Sequence, residues 1–260
     1  MKKLVNKIRH FLGRGTGIFI LLLLWEITPR LGWVDQTFLT PPSIVAQAFY
    51  DLVVTGQLRV HFLSSIQRSL LGLSLAIVVG TSFGIFIGWF KRLEYFADPV
   101  FQSFRQMSAF ALFPVFVLFF GIGEVSKVII IFWASLWPVL LNTINGVKNV
   151  DKLLIDSAKS LGASQTFIFL KIVLPAATPG IITGIRLGGS YSVLALVAAE
   201  MIGAESGLGF LILYSQETFK IPDMFAAIIA LTFVGLTFNY TLSFIEGRLT
   251  KWKGRSADNF

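Results

Sequence analysis

The 260-residue chain contains no cysteine. Disulfides, thiolate metal sites and cysteine nucleophiles are therefore excluded. Histidine is almost absent as well. His10 and His61 are the two, too far apart in sequence to suggest a metal site. Charge is scarce: Asp, Glu, Lys and Arg make up 14% of the chain, against about 25% in an ordinary soluble domain. That is too little to cover a water-facing surface. No G-x-x-x-x-G-K-[ST] run occurs, and no strand pattern precedes the glycines of Ser206-Gly-Leu-Gly209. A nucleotide-binding loop is excluded on both counts.

What is present is apolar. Hydrophobic residues reach 55%, mean hydropathy is +0.75, and 26 residues are Phe. The bilayer is the solvent that fits. The net charge of +8 does not mark a nucleic-acid binder, because the basic residues lie between long apolar runs instead of forming one patch. Near the N-terminus, Lys2, Lys3, Lys7 and Arg9 precede the apolar run 18–24, as in a signal peptide. Trp25, Glu26 and Ile27 then stand where a small-residue cleavage site would be, so this segment reads as an uncleaved first span.

A spanning helix needs roughly 20 apolar residues. The runs predict an all-α membrane protein with about six transmembrane helices, near 15–33, 63–90, 100–120, 127–147, 177–201 and 224–246. Arg105 and Gln106 interrupt the third. With the N-terminus inside, the inner segments hold 15 basic residues and the outer ones 4. That bias places both termini in the cytoplasm. The expected organisation is a basic N-terminus (1–14), a first span with an external loop (15–62), a core of spans (63–247) and a polar tail (248–260). Within the core, 148–175 is cytoplasmic and 202–223 external. In the latter, Leu208, Phe210, Leu211 and Leu213 suit an amphipathic re-entrant helix, with a plain loop as the alternative.

The inner segment 151–175 carries its own punctuation. Asp151 is placed to cap a helix. Leu154, Ala158 and Leu161 follow at i, i+4 and i+7, an apolar stripe with Lys152, Asp156 and Lys159 off it. Gly162 is placed to close that helix. Ser164 is placed to cap a second short one over 165–173, and Pro175 and Pro179 suit the start of the next span. The prediction is a helix–Gly–helix elbow on the cytoplasmic face.

These residues resemble a known signature. Asp156-Ser-Ala-Lys-Ser-Leu-Gly162, nine residues, then Ile172-Val-Leu-Pro175 is similar to the EAA–G–ILP motif of ABC-importer permeases. Asp156 stands where that family usually has Glu, and Ser157 where it usually has Ala. Leu39-Thr-Pro-Pro-Ser43, Pro179-Gly-Ile-Ile-Thr-Gly-Ile-Arg186, Ala199-Glu-Met-Ile-Gly203 and Ser206-Gly-Leu-Gly209 resemble the nitrate/sulfonate/taurine/bicarbonate group of these permeases.

The resemblance implies a type I importer permease in a bacterial inner membrane, with five core helices and one N-terminal helix. It implies a second permease copy, two ATP-binding subunits that hold the ATP and Mg, and an external binding protein. This chain itself would be no enzyme and carry no cofactor. The residues it implies at the ATPase contact are Lys152, Leu154, Ile155, Asp156, Ser157, Ala158, Leu161, Gly162, Ala163 and Pro175.

Charges inside a bilayer are costly and usually face a cavity or pair up. Arg68, near the external start of its span, is expected to snorkel to the interface. Arg105, followed by Gln106, Met107 and Ser108 with Pro114 beyond, suits a cavity wall. Arg186, Ser190, Tyr191 and Glu200 complete the candidate pathway set. For Glu200 and Arg186, structural pairing competes with that role, and for Ser190 and Tyr191, packing beside Gly188 and Gly189 does. Two other functions fit poorly. A proton-coupled transporter needs several titratable groups along its path. An intramembrane protease using Ser190 needs a base within hydrogen-bond reach. The solute remains open between small anions and heterocyclic precursors.

Overall fold

The structure, a computed structural model, describes residues 16–17 and 19–250. The basic segment 1–14 and the tail from 251 onward lie outside the described residues. All regular structure among the described residues is helical. The helices are α1 (19–30), α2 (Pro42–Val54), α3 (Gln57–Trp89), α4 (Lys91–Phe104), α5 (Phe113–Phe120), α6 (Glu124–Lys148), α7 (Lys152–Ser160), α8 (Gln165–Ile168), α9 (Leu174–Met201), α10 (Leu208–Glu217) and α11 (Ile221–Leu249). Four are long and apolar enough to cross a membrane: α3, α6, the continuous run from α8 through α9, and α11.

The centre of the bundle is α6, packed between α3 and α9. Small residues set that packing. Gly72, Ala76, Gly80, Gly84 and Gly88 recur every fourth residue on α3 and so form one stripe. A Cβ on Gly72, Gly80, Gly84 or Gly88 would collide with Ile131, Val139, Thr143 or Val147 of α6, which also recur at multiples of four. On the other side of α6, a Cβ on Gly184 would come within 2.8 Å of Asn142 Cβ, and one on Gly180 within 2.8 Å of Gly146 Cα. In lipid, close backbone approach of this kind replaces the hydrophobic driving force that water would supply. Many large side chains face outward, among them Phe19, Leu118, Phe233 and Phe244, as a lipid-facing surface requires.

The bundle has two ends. At one, Val147, Val150, Ala158, Ile168, Val173 and Ala177 form a core against Trp89, joining α3, α6, the elbow and the start of α9. At the other, Val45, Leu52, Leu58, Leu208, Ala226 and Ala227 join α2, α3, α10 and α11. Ser43 ties α2 to α1. Its hydroxyl donates to Glu26 (2.8 Å), its N–H donates to the same carboxylate (3.0 Å), and Glu26 pairs with Arg30 at 2.6 Å.

Three expectations change. The external loop of 15–62 contains a helix, α2, which begins at Pro42 because proline suits a first turn. The third span, expected as one helix over 100–120, is broken. α4 starts at the elbow end, 105–112 is irregular, and α5 runs on toward the opposite end, where α6 begins. The second elbow helix does not end at 173. Phe169–Val173 forms a π-turn, with the Leu174 N–H bonded to the Phe169 carbonyl, and the chain continues helically into α9. Pro175 has no N–H to offer the carbonyl four residues back, and the widened turn lies immediately before it.

Candidate functional site

Three places collect the polar residues of this apolar chain. The first is the elbow. The Asp151 carboxylate accepts the Leu153 N–H (2.9 Å), and Ser164 Oγ accepts the Phe167 N–H (3.2 Å), so both helices are capped. Between them Gly162 sits at φ +78°, and the Ala163 N–H closes the first helix onto the Ala158 carbonyl (3.0 Å). Ala158 is buried and Ile155 and Ala163 are half-buried against the bundle. The stripe expected from Leu154, Ala158 and Leu161 therefore splits. Leu161 is 88% exposed and Leu154 50%, beside exposed Leu153. Lys152, Asp156, Ser157, Gly162 and Pro175 are exposed too. Only part of α7 touches its own bundle, because Ala158 and Ile155 seat it there. Its leucines point away.

The second place is the broken span. Residues 105–112 interrupt the helix at the depth where the neighbouring α6 and α9 are continuous. There Arg105, Gln106, Met107, Ser108 and Ala109 line a cavity of about 670 Å³. Its other walls are one face of α6 (Trp133, Trp137, Pro138, Leu141, Asn142, Asn145) and Leu187 and Tyr191 of α9. A narrow space of about 130 Å³ shares Arg105, Leu141 and Asn145 with this cavity. It shares Glu94, Asp98 and Lys148 with a cleft of about 1300 Å³ between α4 and α7. A string of openings thus runs from the elbow to the break. Of the expected pathway set, Arg105, Gln106, Met107, Ser108 and Tyr191 come together here.

The others do not. Ser190 is exposed one position from Tyr191 but is not in the cavity wall. Arg186 forms an ion pair with Glu246 of α11 at 2.7 Å, and Thr183 donates to the same carboxylate (2.9 Å). Glu200 is fully buried. It is removed from any cavity because it serves the third place.

That third place is a polar network at the end opposite the elbow. Arg68 is 4% exposed and does not snorkel. It stays inside because all five of its N–H donors are used. Nε and Nη2 hold Glu124 (2.6 and 2.8 Å), Nη1 holds Glu200 (2.8 Å) and the Ser206 carbonyl (2.6 Å), and Nη2 also reaches Ser206 Oγ (3.1 Å). Glu200 further accepts from Ser65 Oγ (2.8 Å) and the Gly209 N–H (2.9 Å). The Gly207 N–H donates to His61 Nδ1 (3.1 Å) and the Leu208 N–H to Ser65 Oγ (2.8 Å). Lys127, also buried, completes the group on Glu124 (3.0 Å). The segment 206–209 is thereby fastened to α3 and to the end of α9. The two glycines are required by Glu200. Gly207 has φ +121°, and a Cβ on it would fall on the Glu200 carboxylate. A Cβ on Gly209 would lie 2.8 Å from Glu200 Cβ. The expected re-entrant segment forms α10, buried through Leu208 and Leu211, with Phe210 and Leu213 half-buried.

Sequence reasoning passed over His61, Ser64, Ser65, Glu124 and Lys127. A signal was available: His61, Ser64, Ser65 and Arg68 stand at i, i+3, i+4 and i+7, a polar face inside an apolar span.

Comparison with known proteins gives consistent matches. Residues 76–254 match the family model described as "binding-protein-dependent transport system inner membrane component". The putative aliphatic sulfonates transport permease protein SsuC of Bacillus subtilis is 35% identical over 234 residues, 90% of this chain and 85% of its own length. The nitrate import permease protein NrtB of Leptolyngbya laminosa is 31% identical, over 95% of this chain and 90% of its own. An inward-facing structure of the MetNI methionine ABC transporter superposes with a TM-score of 0.64 at 16% identity, over 75% of this chain and 96% of that one. At that identity the likeness concerns the fold alone.

Proposed function

We propose a role from this premise: the chain belongs to the family of binding-protein-dependent transport system inner membrane components, the permeases of ABC importers. Its broken span lines the passage for a small anion. The observation that carries this reading is the break itself. Irregular backbone at membrane depth is tolerated only where protein covers it or a water-filled cavity adjoins it. Here that stretch adjoins a cavity and carries Arg105, a guanidinium with no ion-pair partner among the described residues. A fixed cation in a low-dielectric passage attracts an anion, and a single one leaves release fast.

Both termini and the elbow face the cytoplasm in this reading, where a separate ATPase supplies ATP hydrolysis and binds the exposed leucines of α7. An external binding protein delivers the solute at the opposite end. A second copy of the permease closes the open side of the passage against the exposed stripe of α9 (Leu187, Ser190, Tyr191, Leu194). The mechanical link is α9. From Gln165 to Met201 the helical run covers 37 residues, about 55 Å at 1.5 Å per residue. One end sits on the elbow, and the other carries Glu200, which holds the 206–209 segment. A push on the elbow therefore reaches the far end through one rigid element, with the π-turn as its compliant point.

The test is import of a small sulfonate by the reconstituted transporter. Arg105→Ala, at matched membrane levels, is expected to lower import by an order of magnitude or more, the loss typical of a charge-assisted contact. Unchanged import takes Arg105 out of the passage.

A further inference from the structure

We infer that the cavity at the broken span is a selectivity site within the permease itself, for an organic anion with one strongly acidic headgroup on a short apolar or aromatic body. The inference rests on the passage reading above and deepens it. The cavity has two unlike halves. At one end stands Arg105. Of the carboxylates lining the adjoining space, Glu94 pairs with Lys148 at 2.5 Å and Asp98 accepts from the Gln102 amide at 3.2 Å, and neither forms an ion pair with Arg105. The guanidinium is left for an outside anion, with the Gln106 amide and the Ser108 hydroxyl in the same wall and the Asn145 amide in the facing wall of α6.

The other half is aromatic and preformed. Trp133 and Trp137 pack edge to face at 5.1 Å, and Phe104 stacks on Trp137 at 6.3 Å and 7° and meets the edge of Trp133 at 5.9 Å. Tyr191, half exposed, and Leu141 and Leu187 close the wall. Rings fixed by one another lose little entropy when a ligand arrives. At about 670 Å³ the space falls within the range of small-molecule sites and holds far more than a four-atom inorganic anion. A nitrate here would give up part of its hydration and has no apolar body to bury against the rings. An organic body on the headgroup would bury apolar surface against the indoles.

Binding to the permease–ATPase complex in nanodiscs, without the binding protein, separates this site from upstream specificity. The probes are benzenesulfonate, methanesulfonate and nitrate, measured by calorimetry. The expected order is benzenesulfonate tightest and nitrate weakest. Tyr191→Ala and Trp137→Phe, in complexes that still assemble, are expected to cut the advantage of benzenesulfonate over methanesulfonate by about 3–10-fold, the scale of one aromatic contact. Arg105→Met removes binding of all three. Equal affinities, or ring variants that weaken all three alike, overturn the inference. So does absence of binding for every probe. If affinities are equal but Arg105→Ala still abolishes import, the passage reading survives without the selectivity site. If Arg105 variants alter neither binding nor import, both fall.

Discussion

Arg68→Met tests the fastening of the 206–209 segment. The substitution keeps length and apolar bulk but removes five donors and the charge. Glu200, fully buried, then faces its desolvation cost with only Ser65 Oγ and the Gly209 N–H left. Removing one partner of a buried ion pair costs about 3–5 kcal/mol, mostly through the charge left behind. The cost falls on the segment that Arg68 fastens. Arg68 also ties the ends of α6 and α9 through Glu124 and Glu200, but the small-residue ladder from Gly72 to Gly88 packs against other residues of α6, so the effect is concentrated at this end of the bundle. The readout is amide hydrogen exchange of Gly207, Leu208 and Gly209, whose N–H groups bond to His61, Ser65 and Glu200. Where exchange follows the opening equilibrium, roughly 3–5 kcal/mol corresponds to acceleration by two to more than three orders of magnitude. Amides in the middle of α6 should change little. The double variant Arg68→Met, Glu200→Leu removes the stranded charge and should recover most of the protection at Gly207 and Leu208, whose acceptors His61 and Ser65 remain, while Gly209, which loses its own acceptor, stays exposed to exchange. Acceleration below tenfold in the single variant, or a double variant whose effects simply add, refutes the reasoning.

Gly207→Ala places a Cβ on the Glu200 carboxylate at a backbone conformation foreign to alanine. It should cost at least the roughly 1–3 kcal/mol of backbone strain, read as lost exchange protection in α10. Gly84→Val drives a side chain into Thr143 Cβ, which would lie 2.6 Å from even a bare Cβ. It should lower the thermal midpoint by several degrees, the order expected of the ~1–3 kcal/mol cost of overpacking, and a midpoint unchanged within error argues against α3–α6 contact at that stripe. A Cβ added at Gly162 meets no neighbour within 4 Å, so the main cost of Gly162→Leu is the roughly 1–2 kcal/mol of a left-handed backbone. The permease should still assemble with its ATPase but lose substrate-stimulated ATP hydrolysis. Wild-type coupling in that variant would remove the elbow from the coupling route.

The elbow was the most legible part of the chain. Its caps, its closing glycine and its spacing are local, and local chemistry fixed Asp151, Gly162 and Ser164 in the roles their sequence neighbours suggest. The long spans were equally plain, since lipid demands uninterrupted apolar helix. The third span was harder. Arg105 and Gln106 marked an interruption, but whether a polar pair bends a helix or breaks it depends on what adjoins it. The α3 ladder of small residues repeats every fourth position and was available to sequence reasoning. Its partner face on α6 was not.

The sequence alone determined the solvent, most of the long spans, the elbow and, through charge asymmetry, an expected orientation. These follow from composition and from contacts within a few residues. The partners of the intramembrane charges were decided by tertiary structure. Arg68 and Glu200 are separated by 132 positions and become one buried pair because α9 returns to the end where α3 began. Among the described residues Arg105 has no ion-pair partner, for the same kind of reason. Glu94 turns instead to Lys148, which only the packing of α4 against α6 could show, and Asp98 accepts from Gln102 one turn along its own helix.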